Sequence, residues 1–168
     1  MDLRASGTGT FQRGVRLLNS GMGSGDHIMY ALGQADSSKN MGQFYFYYSS
    51  SGSNSNRLSM GLHSVDDVFN IQGTGNITIG TTSDNSAGKL QVAGNIVPEA
   101  NGTRDLGSSS YRWSTVYTSD LSLSNGIGDW TIVEGEDDLF LYNNKRNKVY
   151  KFNITEVDPS AAPAKKPE

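Results

Sequence analysis

Phe44-Tyr45-Phe46-Tyr47-Tyr48, then Ser49-Ser50-Ser51-Gly52-Ser53-Asn54-Ser55-Asn56, then Leu58-Ser59-Met60-Gly61-Leu62-His63: this stretch decides the fold. Strand side chains alternate between two faces. Phe44, Phe46 and Tyr48 therefore share one face, and Tyr45 and Tyr47 the other. Leu58, Met60 and Leu62 alternate in the same way with Ser59, Gly61 and His63. The Gly/Ser/Asn cluster between the runs is hairpin-loop chemistry. Outward from this hairpin, His27 to Leu32 sets Ile28, Tyr30 and Leu32 on one face, and Val68 to Ile71 makes a fourth run. No window carries a sustained i, i+3, i+4, i+7 apolar stripe. The reading is all-β. Residues 1–72 form an antiparallel, sandwich-like domain in which Phe44, Phe46 and Tyr48 enter the core and Tyr45 and Tyr47 point outward.

Residues 73–118 read as a short β-shaft connector. Gly75-Asn76-Ile77 recurs as Gly94-Asn95-Ile96, beside the short apolar segments Ile77-Thr78-Ile79 and Leu90-Gln91-Val92. Two copies fall short of the three or more that a solenoid needs. Residues 119–157 form a C-terminal antiparallel hairpin unit. Leu121 and Leu123 alternate with serines, and Trp130 and Ile132 share a face. Leu139–Tyr142 and Val149–Phe152 flank Asn143-Asn144-Lys145-Arg146-Asn147-Lys148. Pairing Asn143 with Lys148 gathers Leu139, Leu141, Tyr150 and Phe152 on one face, while a one-residue slip mixes the faces. Residues 158–168, rich in Pro, Ala and Lys, read as an extended tail.

Gly, Ser, Asn and Thr make up 67 of the 168 residues, and only 35% of the chain is hydrophobic. Yet 16 residues are aromatic and 18% charged, which separates the chain from a disordered one. It is folded but core-poor, and such a chain gains stability by burying surface between subunits. The net charge of −3, with no basic stripe, argues against a nucleic-acid partner. Zero cysteines exclude disulfides and thiolate chemistry. Met1 to Ser6 lacks an apolar stretch, so no secretory leader is expected. No run approaches the ~20 apolar residues of a membrane span.

Candidate chemistry is sparse. His27 and His63 are the only histidines, and His63 alternates out of the Leu58–Met60–Leu62 face. Glu134, Glu136, Asp137 and Asp138 cluster without the ligand spacing of a calcium loop, which favours a solvated turn or ion pairs to Lys148 and Lys151. Asp66-Asp67 is an acidic pair in a turn. The reading is a non-enzyme with no catalytic residues, no cofactor and no metal site. Two uses are open for Tyr45 and Tyr47: burial against another subunit, or a platform on which sugar rings stack. Trp113 and Trp130 carry the same ambiguity, and as large aromatics they suit interface anchoring.

Three segments carry a family resemblance. They are Gly75 to Thr82, the box Leu106-Gly107-Ser108-Ser109-Ser110-Tyr111-Arg112-Trp113-Ser114-Thr115-Val116-Tyr117, and Gly128-Asp129-Trp130-Thr131-Ile132-Val133-Glu134. In the box, a Gly-Ser turn is expected to lead into a strand bearing Trp113, Val116 and Tyr117. From Leu17 to Val157 the chain resembles tail fibres, head fibres and virion spikes of phages, marine phages especially. The resemblance implies an intertwined homotrimer on the virion, with Ile77, Ile79, Val92, Ile96, Trp113 and Trp130 at the trimer interface. It implies attachment to a host-surface glycan or outer-membrane receptor, for which Tyr45, Tyr47, Ser51, Asn54 and Asn56 are the candidate contacts. The alternative is a capsid decoration or head-fibre protein that binds other virion proteins. Ser119-Asp120-Leu121-Ser122-Leu123-Ser124 lacks the lysine that opens the self-cleaving chaperone domain of many such fibres, so no autoprotease activity carries over.

Overall fold

The computed structural model describes residues 16–158. The start of the expected first domain and residues 159–168 of the expected tail lie outside them. Where the alternation predicts strands, strands form: β1 His27–Gly33, β2 Met41–Tyr47, β3 Arg57–Leu62, β4 Val65–Gln72, β5 Ile77–Ile79, β6 Leu90–Val92, β7 Asp120–Ser124, β8 Asp129–Glu134, β9 Leu139–Asn143 and β10 Lys148–Lys151. The described residues contain no helix. The chain divides into two units, residues 1–97 and 98–168.

The first unit is one six-stranded sheet in the order β1-β2-β3-β4-β5-β6. Strands β1 to β5 form an antiparallel meander, and β6 pairs parallel with β5, Ile77 opposite Leu90 and Ile79 opposite Val92. The expected boundary at residue 72 is therefore not a boundary. The alternation of β4 runs on through Ile77-Thr78-Ile79, and Phe69 pairs with Ile79 and Asn70 with Thr78. The segment expected to be a shaft supplies the last two strands of the sheet. A parallel partner needs a crossover, and here the irregular segment 80–89 makes it.

Between β3 and β4 the register slips. Met60 pairs with Phe69 and Leu62 with Val65, so Gly61 alone on β3 faces Asp66, Asp67 and Val68 on β4. Asp67 sits inside this bulge at φ 56°, and Ser64 turns the hairpin at φ 67°. The bulged backbone lies over Gly61, where a Cβ would stand 2.5 Å from the Val65 carbonyl oxygen and 3.0 Å from Asp66 Cα.

The second unit is a four-stranded antiparallel sheet in the order β10-β9-β8-β7. Lys148 pairs with Asn143 and Tyr150 with Leu141, and the Phe152 N–H donates to the Leu139 carbonyl. Leu139, Leu141, Tyr150 and Phe152 thus share a face, as the alternation predicts. Leu121 and Ile132 extend the same face, with the Trp130 and Tyr150 rings 6.0 Å apart. Leu141 is half-buried, but Leu139, Tyr150 and Phe152 remain exposed within the single chain. Asp138 holds Lys151 at 2.7 Å, one of the ion pairs expected of the acidic cluster.

The box 106–117 forms its turn and not its strand. The Ser108 N–H donates to the Tyr111 carbonyl at 2.8 Å, after which the chain stays irregular until β7. Its apolar positions Trp113, Val116 and Tyr117 do not keep a period of two, and no strand among the described residues pairs with them.

Gly61→Ala tests the bulge. Its methyl group meets backbone on the bulged side, so overpacking is expected to cost ~1–3 kcal/mol. Gly88→Ala, with nothing within 4 Å of its added carbon, is expected to change stability by less than ~0.5 kcal/mol. Urea denaturation of both variants measures the difference, and equal midpoints would remove the steric role of the bulge.

Candidate binding and assembly surfaces

Cross-strand pairing sorts the first sheet into rows. On one face, Met29, Tyr45, Ser59, Asn70, Thr78 and Gln91 lie side by side across all six strands, flanked by the row His27, Tyr47, Arg57 and Gln72. On the other lie Ile28, Phe46, Leu58, Ile71, Ile77 and Leu90, and beside them Tyr30, Phe44, Met60, Phe69, Ile79 and Val92. One face is polar and the other wholly apolar.

The polar face is the covered one. The crossover 80–89 lies on its β4–β6 half and is tied down by side chains of the sheet. Asn70 Nδ2 donates to the Thr81 carbonyl (3.0 Å), Thr78 Oγ1 to the same oxygen (2.6 Å), and Gln72 Nε2 to the Thr82 carbonyl (3.3 Å). Ser59 Oγ donates to Asn70 Oδ1 at 2.6 Å, and Gln72 Nε2 also reaches Thr78 Oγ1 at 2.9 Å. Ser59, Asn70 and Thr78 are fully buried. Farther along, Asp84 accepts from Thr74 Oγ1 (2.6 Å) and Asn76 Nδ2 (3.0 Å). The Thr74 hydroxyl and the Ser86 N–H lead in holding the Asp84 carboxyl below its usual range.

The β1–β3 half of this face stays open. Regular alternation would send Asp67 to the apolar side with Phe69. Its positive φ inside the bulge turns it to the polar side instead, the usual work of a bulge. There Tyr45 donates its hydroxyl hydrogen to Asp67 Oδ1 (2.7 Å) and accepts from the Asp67 N–H (3.1 Å). Arg57 reaches both carboxylate oxygens, Nε to Oδ1 at 3.1 Å and Nη2 to Oδ2 at 3.2 Å. The Arg57 guanidinium also lies 3.8 Å from the centre of the Tyr47 ring, a cation–π contact. His27 meets the Tyr45 and Tyr47 rings edge-on at 5.0 and 5.2 Å. Burial alone would raise the Asp67 carboxyl, but the hydrogen bonds from Arg57 and Tyr45 and the charge of Arg57 outweigh it and hold the group below its usual range. Burial, then the hydrogen bond to Asp67, pushes the Tyr45 phenol up to about 12. An open depression of about 450 Å3 lies here, lined by Met29, Gln43, Tyr47, Arg57, His63 and Asp66 among others.

The expected receptor contacts fare differently from one another. Tyr45 is a correction: it is on the expected face, but at 3% exposed it is the only buried hydrophobic side chain among the described residues. Its hydroxyl is committed to Asp67, so it offers no stacking surface. Tyr47 is half-buried beneath Arg57. Asn56 ties its own loop, accepting from the Ser49 N–H at 2.8 Å and donating to the Ser50 carbonyl at 2.8 Å. Ser51 and Asn54 are exposed on that loop. Phe44 and Phe46, expected in a core, are exposed. Of the expected interface residues, Ile77, Ile79 and Val92 share the apolar face and are half-buried. Trp130 lies on the second sheet, and Ile96 and Trp113 lie in irregular chain, largely exposed. His63 is partly exposed, 3.1 Å from Asp36. Sequence reading missed Arg57 and Asp67. Arg57 was legible as the residue that follows the loop and pairs across it with Tyr47. Asp67 was not, because only the bulge turns it.

Among the described residues no group of three or more His, Cys, Asp or Glu is placed to hold a metal ion. The chain matches no protein-family model and no curated protein.

The Tyr45–Asp67–Arg57 hydrogen bonds form a latch between β2, β3 and β4, and Tyr45 makes it pH-dependent. An unfolded tyrosine ionises near 10.0, whereas folded Tyr45 keeps its proton to about 12. The unfolded state then binds fewer protons, so stability falls as pH rises between these values. Tyr45→Phe is expected to cost ~1.5–3 kcal/mol at neutral pH, as for a hydrogen bond to a charged group. The gap between wild type and variant is expected to shrink from about pH 10 to about pH 12 in thermal melts. Parallel curves would contradict the coupling of Tyr45 to Asp67.

Proposed function

We propose that this chain is the subunit of a virion fibre or spike that assembles as a homotrimer and attaches the particle to a host-surface glycan. One observation carries the assembly part. Among the described residues, the first sheet turns its polar face inward against its own loop and leaves much of its apolar face open, with Phe44, Phe46, Met60, Ile71 and Leu90 exposed. Six strands at ~4.8 Å spacing and roughly 20 Å long give an apolar patch on the order of 500 Å2. Patches of that size on soluble chains mark interaction sites. Burying a Leu, Ile or Phe side chain contributes ~1.5–3 kcal/mol, and the isolated chain forgoes part of that gain. Three such sheets facing one axis supply one another with the missing core. Support for the attachment part comes from the likeness of Gly75–Thr82, the 106–117 box and Gly128–Glu134 to phage fibres, and from the open polar half-face. An apolar face that other virion proteins cover instead is the decoration-protein reading.

Light scattering behind size exclusion separates the two. The expected mass is three times the 18.1 kDa of the chain. Phe46→Asp/Leu58→Asp, which puts charge on the apolar face of β2 and β3, is expected to lower that mass. A folded wild-type species at 18.1 kDa would overturn the homotrimer and leave the face to a different partner.

A further inference from the structure

We infer that the open half of the polar face, over β1–β3, is a binding site for a neutral hexose unit of a surface polysaccharide. This rests on the attachment reading and gives it a place and a ligand class. The expected contacts on the Ser49–Asn56 loop lie outside this depression.

The first argument is the supply of unspent hydrogen-bonding groups. The Gln43 amide, the Asp66 carboxylate and the Tyr47 hydroxyl make no hydrogen bond to the described residues, nor does Arg57 Nη1. They combine donors and acceptors. A sugar hydroxyl is both donor and acceptor, so a ring with adjacent hydroxyls answers this mixture, whereas a purely anionic ligand answers only the donors. Exposed Met29 adds an apolar surface for the C–H face of a ring. The volume of about 450 Å3 falls within the ~300–1,000 Å3 of small-ligand sites.

The second argument is charge. Arg57 is already neutralised by Asp67 at 3.1 Å. Asp66 then leaves the depression negative when histidine is counted neutral, as in the formal charge of the chain. A uronic acid, a sialic acid or a phosphate meets that excess as repulsion. A neutral hexose does not.

The third argument is rigidity. Asp67 is held at φ 56° by Tyr45 and Arg57 together. A non-glycine residue in that region costs of order 1–3 kcal/mol and persists only where its surroundings over-determine it. The result fixes Arg57 and Tyr47 before any ligand arrives, which lowers the ordering cost of binding. Weak single sites, repeated in an assembly, add through avidity.

The experiment is a glycan array that displays neutral hexosyl oligosaccharides beside uronic-acid, sialylated and phosphorylated ones, probed with the assembled full-length protein. Binding to the neutral set is expected. Gln43→Ala/Asp66→Ala is expected to lower it about tenfold or more, with no change in assembly mass by light scattering. Ser51→Ala/Asn54→Ala is expected to leave it unchanged. A preference for acidic glycans, undiminished binding by the Gln43/Asp66 variant, or no glycan bound by the assembled wild type each overturns the site. The attachment reading is judged separately, by adsorption of the labelled assembly to bacterial cells. Adsorption without glycan binding would overturn the hexose site alone.

Discussion

Ser59, Asn70 and Thr78 stand side by side in the middle of the first sheet and are fully buried, and their hydrogen bonds organise the rest of the unit. A buried hydroxyl or amide without a partner costs of order 1–3 kcal/mol. The partners here are the carbonyls of Thr81 and the bulged Asp67, together with the side chains themselves. Segment 80–89 lies on this face and supplies the Thr81 carbonyl that both Asn70 and Thr78 use. Once it does, β6 can return only beside β5 and parallel to it. The loop and the parallel strand are two results of one requirement for satisfied polar groups. The apolar face is the third: among the described residues segment 17–22 borders it at Ile28, Phe46 and Tyr48, and Phe44, Met60, Ile71 and Leu90 on it stay exposed.

Strand positions were legible because alternation reports periodicity directly. Ile77–Ile79 and Leu90–Val92 were readable as strands, and the register Asn143–Lys148 follows from keeping Leu141 and Tyr150 on one face. Which face the chain buries was not legible. The ordinary rule sends Phe44 and Phe46 inward and Tyr45 outward, and it presumes that one chain completes its own core. Here Tyr45 is 3% exposed while Phe44 and Phe46 face outward. The polar side becomes the interior through backbone carbonyls of a loop, and a carbonyl has no residue type to read. The bulge hides a second feature in the same way. Asp66-Asp67 reads as an acidic turn until the register slip reverses the side on which Asp67 projects.

The 106–117 box shows the opposite limit. Its composition is β-like, yet Trp113 stays 63% exposed and no strand forms. A strand is a paired object, and local propensity does not create one without a partner edge. In the fibre reading the partner edges belong to neighbouring subunits, so the irregular course of this segment and the bare apolar face are one deficit seen twice. Both are places where the described residues present β chemistry without the surface to complete it.

In the proposed function, binding and assembly would share one thin sheet. A conventional sandwich spends one face on its core and exposes the other, so a single face serves each purpose. In this unit the polar face is itself split. Over β4–β6 it is sealed by the crossover, and over β1–β3 it is open and held by the Tyr45–Asp67–Arg57 latch. The latch lies on the face opposite to the apolar rows, and Tyr45 and Phe46, adjacent in β2, point to opposite sides. Packing of subunits through Phe46, Leu58 and Ile71 would thus leave the surroundings of Gln43, Tyr47 and Asp66 unchanged. The same packing would stiffen β2 and β3 from behind. In the proposed assembly that support would come from the apolar side, behind the strands that hold Arg57 against Tyr47.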